Sequence, residues 1–377
     1  MKTRHFLFLA CIALLCYNCK NNAIKNNRVT NLLQIQLDSL LLHKEIDAVS
    51  AGIYIDGKVY TLHKGELTKG LGDAPHEETL YEIASITKTF TGTLLAKAIV
   101  NHKVKLEDDI RTFIPGDYSN LAYQGNPITL KNLATHRGRI PLMFPNKPEI
   151  FENPNHDTLP FIINDLQKNY TKEDFFKELT LVNVDTIPGS KFGYSNAGAN
   201  LLGYCMETIY NQQFEDILKE QILTPLQMNN TKIVLNKKDK EHLAQGYNEK
   251  GVKMPFGTEK DMNAAGGLKS TLGDMMKYVA YHLNEADPVV VKSHQELLGL
   301  WDNFDNGMFW QIFTAKKEKP RKIFQNGGAF GTSSWLTMIP EKQMGVFIIT
   351  NRAGPNIHNK LNKAVENILE KLDDKVK

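Results

Sequence analysis

Strand-forming stretches occur near both ends of this chain and are scarce between them, and this distribution narrows the possible folds most. Near the N-terminus, Gly52-Ile53-Tyr54-Ile55-Asp56-Gly57-Lys58-Val59-Tyr60-Thr61-Leu62 reads as a β-hairpin with Asp56-Gly57 as a type I′ turn. Far along the chain, two or three strands are expected at Lys322 to Gln325, Ser333 to Ile339 and Met344 to Thr350, with Pro340-Glu341-Lys342-Gln343 joining the last two. The middle reads as helices and loops. Strands from opposite ends can share one sheet only if the middle is set aside as a unit of its own. The expected fold class is therefore α/β of the α+β kind: an antiparallel sheet flanked by N- and C-terminal helices, with an inserted mainly helical domain. The flanking helices are read from apolar residues at helical spacing: Leu32, Leu33, Ile35, Leu37, Leu40, Leu41 and Ile46 at one end, and Ile357, Leu361, Ala364, Ile368 and Leu372 at the other. The expected boundaries are 32–100 with 256–377 for the sandwich domain and 101–255 for the helical domain. Within the latter, 141–170 is an irregular excursion rich in Pro, Asn and aromatics.

The first residues obey a different logic. Lys2, Arg4 and His5 precede the apolar run Phe6 to Cys16, a basic-then-apolar pattern too short for a stable membrane span. Residues 1–19 are read as a secretory signal peptide and 20–31, which are Asn-rich, as a polar tether. Export places the protein in the periplasm of a bacterium, or on a membrane as a lipoprotein if Cys19 is its lipid-modified first residue. Asn18 is not the small residue that normally precedes such a cysteine. Of four cysteines only Cys205 lies in the body of the chain, which excludes an internal disulfide framework despite export. The formal charge of +3 without a basic cluster interleaved with aromatics gives no indication of nucleic acid. No paired-Cys, His-Glu-x-x-His or phosphate-loop pattern occurs, so no metal or nucleotide cofactor is expected. Nothing in the sequence bears on oligomeric state.

Three short stretches carry chemistry. In Tyr81-Glu82-Ile83-Ala84-Ser85-Ile86-Thr87-Lys88, a serine and a lysine lie three apart at the expected start of a helix, hence on one face. A serine hydroxyl is a poor nucleophile until a base takes its proton. A lysine whose pKa is lowered by burial can be that base. Unpaired N–H groups at a helix start can face a developing oxyanion. Ten serines and 38 lysines in 377 residues produce about one such pair by chance, so the pattern is weak alone. In Pro188-Gly189-Ser190-Lys191-Phe192-Gly193-Tyr194-Ser195-Asn196, a tyrosine able to relay protons stands two residues before an amide that can hold a lysine. Tyr118-Ser119-Asn120 repeats that spacing, and either could be a packed tyrosine in a solvated turn. Finally, Phe324-Gln325-Asn326-Gly327-Gly328 is an apolar strand entering paired glycines, where backbone can approach a ligand or simply bulge.

Taken together, in this order, the stretches resemble the serine β-lactamase and penicillin-binding-protein family, closest to the class C β-lactamase-related hydrolases. That family carries Ser-x-x-Lys, Tyr-x-Asn and a Lys/His-x-Gly strand, here Ser85-Ile86-Thr87-Lys88, Tyr194-Ser195-Asn196 and Gln325-Asn326-Gly327. Ile128 to His136, Pro188 to Gly203 and Ala264-Ala265-Gly266-Gly267-Leu268 are also similar, so the likeness runs from about residue 35 to 370. The shared Pro-Gly context selects Tyr194 over Tyr118. The resemblance implies a cofactor-free acyl transfer in which Ser85 attacks a carbonyl and Lys88 with Tyr194 moves its proton. The backbone N–H groups of Ser85 and Gly328 would hold the oxyanion. Asn196, Gln325, Asn326 and Gly327 would contact the substrate, a small-molecule or peptide acyl donor: a β-lactam, a D-amino-acid peptide or an ester.

One departure weakens the case for efficient β-lactamase or D-Ala-D-Ala carboxypeptidase activity, which handle a carboxylate, and leaves neutral substrates open: Gln325 stands where the family has Lys or His, and a neutral amide supplies no positive charge. His136-Arg137-Gly138 departs too, and Arg137 and Arg139 are read as surface residues rather than as the missing charge. Cys205, among Leu201, Leu202 and Met206, is read as an inert core thiol. The excursion is expected to overhang the site. The alternative function is a penicillin-binding-like ligand-binding or sensor protein that turns over poorly.

Overall fold

The computed structural model describes residues 26–257, 263–299, 301–316 and 319–373. The expectations for the signal peptide and for Cys19 lie outside them. Seven strands form one antiparallel sheet. They are β1 (Ala48–Ile55), β2 (Lys58–Gly65), β3 (Asp305–Asn306), β4 (Gln311–Phe313), β5 (Lys322–Gly328), β6 (Ser333–Ile339) and β7 (Met344–Thr350), in the spatial order β2-β1-β7-β6-β5-β4-β3. The two ends of the chain meet where β1 pairs with β7, Val49 opposite Thr350. Asp56 and Gly57 take φ of 50° and 75°, the left-handed pair that a type I′ turn needs.

Along β1 side chains alternate between two cores. Val49, Ala51, Ile53 and Ile55 meet α1 (residues 26–41) and α5 (Pro355–Asp373) through Leu33, Leu37, Ile357, Leu361, Val365 and Ile368. The helix α1 overlaps the stretch expected to be a polar tether: residues 26–31 are helical, because Val29 is buried against the same core. Ion pairs Lys360–Glu45, Lys322–Glu366 and Lys342–Asp373 tie α5 to its surroundings.

The opposite face of the sheet carries α4 (Leu272–His282), and α2 (Thr87–Val100) packs behind it, Phe90 stacked on Tyr278. Gly52 and Gly345 let α4 sit close, since a Cβ on either would fall 2.4 Å from Met276 or Val279. Every residue of α2 from Thr87 to Ala96 is buried. Its threonines are satisfied by backbone carbonyls: Thr89 donates to Ile86, Thr91 to Ala264 and Thr93 to Thr89. Helix α3 (Asn196–Tyr210) continues this core into the region of helices and loops between β2 and α4. Among the described residues no helix is long and apolar enough to cross a membrane.

Candidate active site

Ser85 sits in a single 3₁₀ turn, Ala84–Ile86, that runs directly into α2. Ala84 before it has φ of 49°, a left-handed conformation unusual for a residue with a Cβ. Lys88 lies one turn on and is completely buried. Its Nζ donates to Asn196 Oδ1 at 2.7 Å, to the Ala265 carbonyl at 2.6 Å and to Ser85 Oγ at 3.1 Å. Burial pushes the Lys88 ammonium below its usual range, with the Tyr194 oxygen opposing that shift. Two of its three hydrogens are held by fixed acceptors. A neutral Lys88 therefore turns its lone pair toward Ser85 Oγ.

Tyr194 completes the cluster, its hydroxyl 2.7 Å from Ser85 Oγ and its ring 4.9 Å from Lys88 Nζ. It stands just before the cap of α3, where Ser195 Oγ accepts from Gly198 N–H at 2.7 Å and donates to the Pro141 carbonyl at 2.5 Å. Asn196 N–H donates to the Leu142 carbonyl at 2.7 Å. His136, quoted in the sequence only as part of an altered motif, brackets the tyrosine from both sides. Its carbonyl accepts from Gly193 N–H at 2.8 Å, its Nδ1 accepts from Ser195 N–H at 3.2 Å, and its ring lies 4.5 Å from the Tyr194 ring. Burial, then the nearby Lys88 charge, lowers the His136 pKa to about 3, so the ring is neutral at ordinary pH. The other Tyr-x-Asn is structural: Tyr118 packs on Phe176, and Asn120 Nδ2 donates to the Leu179 and Val182 carbonyls.

The strand β5 brings the third stretch to Ser85. A Cβ on Gly327 would lie 2.2 Å from the Ile83 carbonyl oxygen, so only glycine lets the strand close on the nucleophile turn. Gly328, together with Ser85, then borders two cavities that meet at the nucleophile. Gln325 is 8% exposed and turned inward. Its Nε2 donates to the Phe309 carbonyl at 2.6 Å, and its Oε1 accepts from Asn326 N–H at 2.9 Å.

One cavity, of about 230 Å³, is bordered by Asn196 and by Leu142, Met143, Phe151, Ile163 and Gln167 from the excursion, which does overhang the site. Glu82 and Lys269, paired across a short two-stranded ladder, form part of its wall. Burial raises the Glu82 pKa against the bond from Gly257 N–H. The other cavity, of about 490 Å³, is bordered by Tyr194, His136, Phe192, Trp301, Phe304 and Phe309. Sequence reasoning passed over Trp301, Phe304 and Phe309, although the density of Trp and Phe from 301 to 310 was a visible signal.

The reading of Arg137 as a surface residue is corrected. Arg137 is 3% exposed, donates to the Gly189 and Ser190 carbonyls at 3.3 and 3.4 Å, and carries its guanidinium 5.9 Å from the Trp301 ring. Three packed aromatic and backbone surfaces enclose it, which local composition does not reveal. Arg139 is bound at both ends of its guanidinium by Asp185, at 2.8 and 3.0 Å. Cys205 is buried, and burial pushes its thiol well above the usual range. Among the described residues no group of three His, Cys, Asp or Glu could hold a metal ion.

Comparisons with known proteins bear on the family and the fold. The sequence model of the family described as Beta-lactamase matches residues 29–370. The D-alanyl-D-alanine-carboxypeptidase/endopeptidase AmpH of Escherichia coli (strain K12) is 28% identical over 324 residues, covering 80% of this chain and 78% of that protein. A β-lactamase of Pseudomonas fluorescens is 24% identical over 384 residues, 92% of this chain and 99% of its own length. A solved β-lactamase/D-alanine carboxypeptidase from Yersinia pestis, complexed with citrate, superposes with a TM-score of 0.77 at 22% identity, over 91% of this chain and 98% of that one.

Proposed function

The chain belongs to the β-lactamase family of serine hydrolases, and from that premise we propose that it cleaves an amide, peptide or ester bond through an acyl-enzyme on Ser85. The observation that carries this reading is the buried Lys88, whose hydrogens on Asn196 and Ala265 leave its remaining position aimed at Ser85 Oγ. Ser85 Oγ attacks the carbonyl carbon and its proton passes to the Lys88–Tyr194 pair. The tetrahedral oxyanion lies against the N–H groups of Ser85 and Gly328, a pair of donors each worth roughly 3 kcal/mol where such groups have been removed. As the bond to the leaving atom breaks, Tyr194 hands that atom the proton. Water then attacks the acyl carbon, the ester bond to Ser85 breaks, and Oγ recovers its hydrogen.

The names of the relatives, a carboxypeptidase/endopeptidase and a β-lactamase, support peptides and β-lactams as candidates beside simple esters. The basic-then-apolar segment from Lys2 to Cys16 supports export, which the mass of the N-terminus of mature protein checks. The reaction itself is tested by exposing the purified protein to a chromogenic cephalosporin, a short-chain aryl ester and a D-Ala-D-Ala peptide, followed by intact-mass measurement. We expect an adduct on the wild type with at least one probe and none on Ser85→Ala. No adduct on the wild type with any of the three overturns the proposal in favour of a binding protein.

A further inference from the structure

The two cavities that meet at Ser85 are not equivalent, and the chemistry of acyl transfer assigns them. A general acid must lie within hydrogen-bond reach of the departing atom. Tyr194 borders the larger cavity and not the smaller, whereas Asn196 and the excursion border the smaller. The departing part of the substrate therefore occupies the larger cavity, and the acyl part the smaller.

Among the described residues that border the larger cavity, none carries a charge at ordinary pH. Its walls are Phe192, Trp301, Phe304 and Phe309, with amides from Asn306, Gln311, Gln325 and Asn326 between them. His136 is neutral there. The amide of Gln325 is occupied by the Phe309 carbonyl and the Asn326 N–H. None of the described cations stands in its wall: Lys88 is within the cluster around Ser85, Arg139 is held by Asp185, and Arg137 lies behind Trp301, donating to the Gly189 and Ser190 carbonyls. A carboxylate entering this space loses water and meets no cation among the described residues of its wall. A flat apolar group instead finds four ring surfaces, with Trp301 51% exposed and Phe192 54% exposed at the mouth.

Resting on the acyl-Ser85 reading, we propose that the Trp301–Phe304–Phe309 chamber makes this enzyme selective for substrates whose departing group is uncharged and aromatic, and that it rejects a departing group bearing a carboxylate. The test uses the full-length purified protein and four esters of one short acid: methyl, phenyl, 2-naphthyl and 3-carboxyphenyl. The phenyl and 3-carboxyphenyl esters have nearly the same intrinsic reactivity, so their ratio reports the chamber. We expect kcat/KM for the phenyl ester to exceed that for the 3-carboxyphenyl ester by about tenfold or more. Trp301→Ala, at an exposed position where folding is not at stake, lowers the 2-naphthyl to methyl ratio several-fold, mainly through KM. Gln325→Lys moves the phenyl to 3-carboxyphenyl ratio toward the charged ester. A wild-type ratio within twofold of unity, or a 2-naphthyl to methyl ratio unmoved by Trp301→Ala, overturns the inference while acylation of Ser85 persists. Absence of an acyl-Ser85 adduct with all four esters overturns the underlying reading as well.

Discussion

At the scale of single residues, the proposed reaction gives Lys88 and His136 two different tasks around Ser85. A base must lose its own proton before it can accept another, so activity rises with pH through the depressed Lys88 pKa. Asn196→Asp would set a carboxylate where Oδ1 now accepts from Lys88 at 2.7 Å. A carboxylate favours the ammonium, so the ascending limb of the kcat/KM profile should move to higher pH by about one unit or more. An unmoved limb would show that some other group sets it. His136 acts on the tyrosine rather than on the substrate's carbonyl. His136→Phe keeps a ring beside Tyr194 but deletes the acceptor for Ser195 N–H. We expect kcat for the preferred ester to fall by about tenfold, with KM changed far less, as befits a misplaced proton donor. His136→Asn, which restores an acceptor, should recover part of that loss.

Among the elements, the excursion between 141 and 170 is the one that the proposed reaction ties to acyl specificity. Its Leu142 carbonyl holds Asn196 N–H, and its Phe151 and Ile163 border the smaller cavity. Neither Phe151 nor Ile163 is fully buried, so shortening one should leave the fold intact. Phe151→Ala should lower the ratio of kcat/KM for a hexanoyl ester over an acetyl ester by about fourfold, the transfer value of one buried methylene. Equal losses on both esters would mean that Phe151 supports the loop and does not touch the acyl chain. The β5 strand makes a different contribution. Gly327 is needed because the nucleophile turn leaves no room for a Cβ, and this close approach keeps Gly328 beside Ser85.

For the whole molecule, the buried core behind α2 ties stability to pH. His282 and His294 lie in contact, Nδ1 to Nε2 at 3.0 Å, against Trp310 and Tyr278. The groups facing them are Thr93, Tyr278 and Tyr281, with the Arg321 charge further disfavouring a second positive charge on His294. Burial lowers the His282 pKa to about 3 and holds that of His294 well below its usual value. In the unfolded chain both titrate near pH 6.5, so the unfolded state binds more protons below that pH. Their contribution is complete above pH 6.5 and is lost as pH falls toward 3, at up to about 1.4 kcal/mol per unit for each histidine. The urea midpoint should therefore drop between pH 7 and pH 5, and His294→Gln should make that drop smaller. A pH dependence identical to wild type would show that these two rings do not carry it.

Much was readable along the chain itself. The type I′ turn, the runs at Ser333–Ile339 and Met344–Thr350, and the helices at both ends follow from turn chemistry and from periods of 2 and 3.6, which a few neighbouring residues determine. Ser85, Lys88, Tyr194, Asn196 and Gly328, which the fold brings together, could be put forward as a set because three spaced motifs in a fixed order narrow the possibilities far more than any one of them. What remained belongs to packing between residues 16 to 177 positions apart, where no local pattern records the partner. Tertiary structure decided that Lys88 is wholly buried with two of its hydrogens spoken for, and that Arg137 is interior. It also decided that His136 brackets Tyr194, that Gln325 faces inward, and that the rings of 301–309 form the wall opposite the excursion. The physical reason is that residue type supplies the chemistry, while burial and the partners of each polar group, which tune that chemistry and select its substrate, exist only once distant segments are brought together.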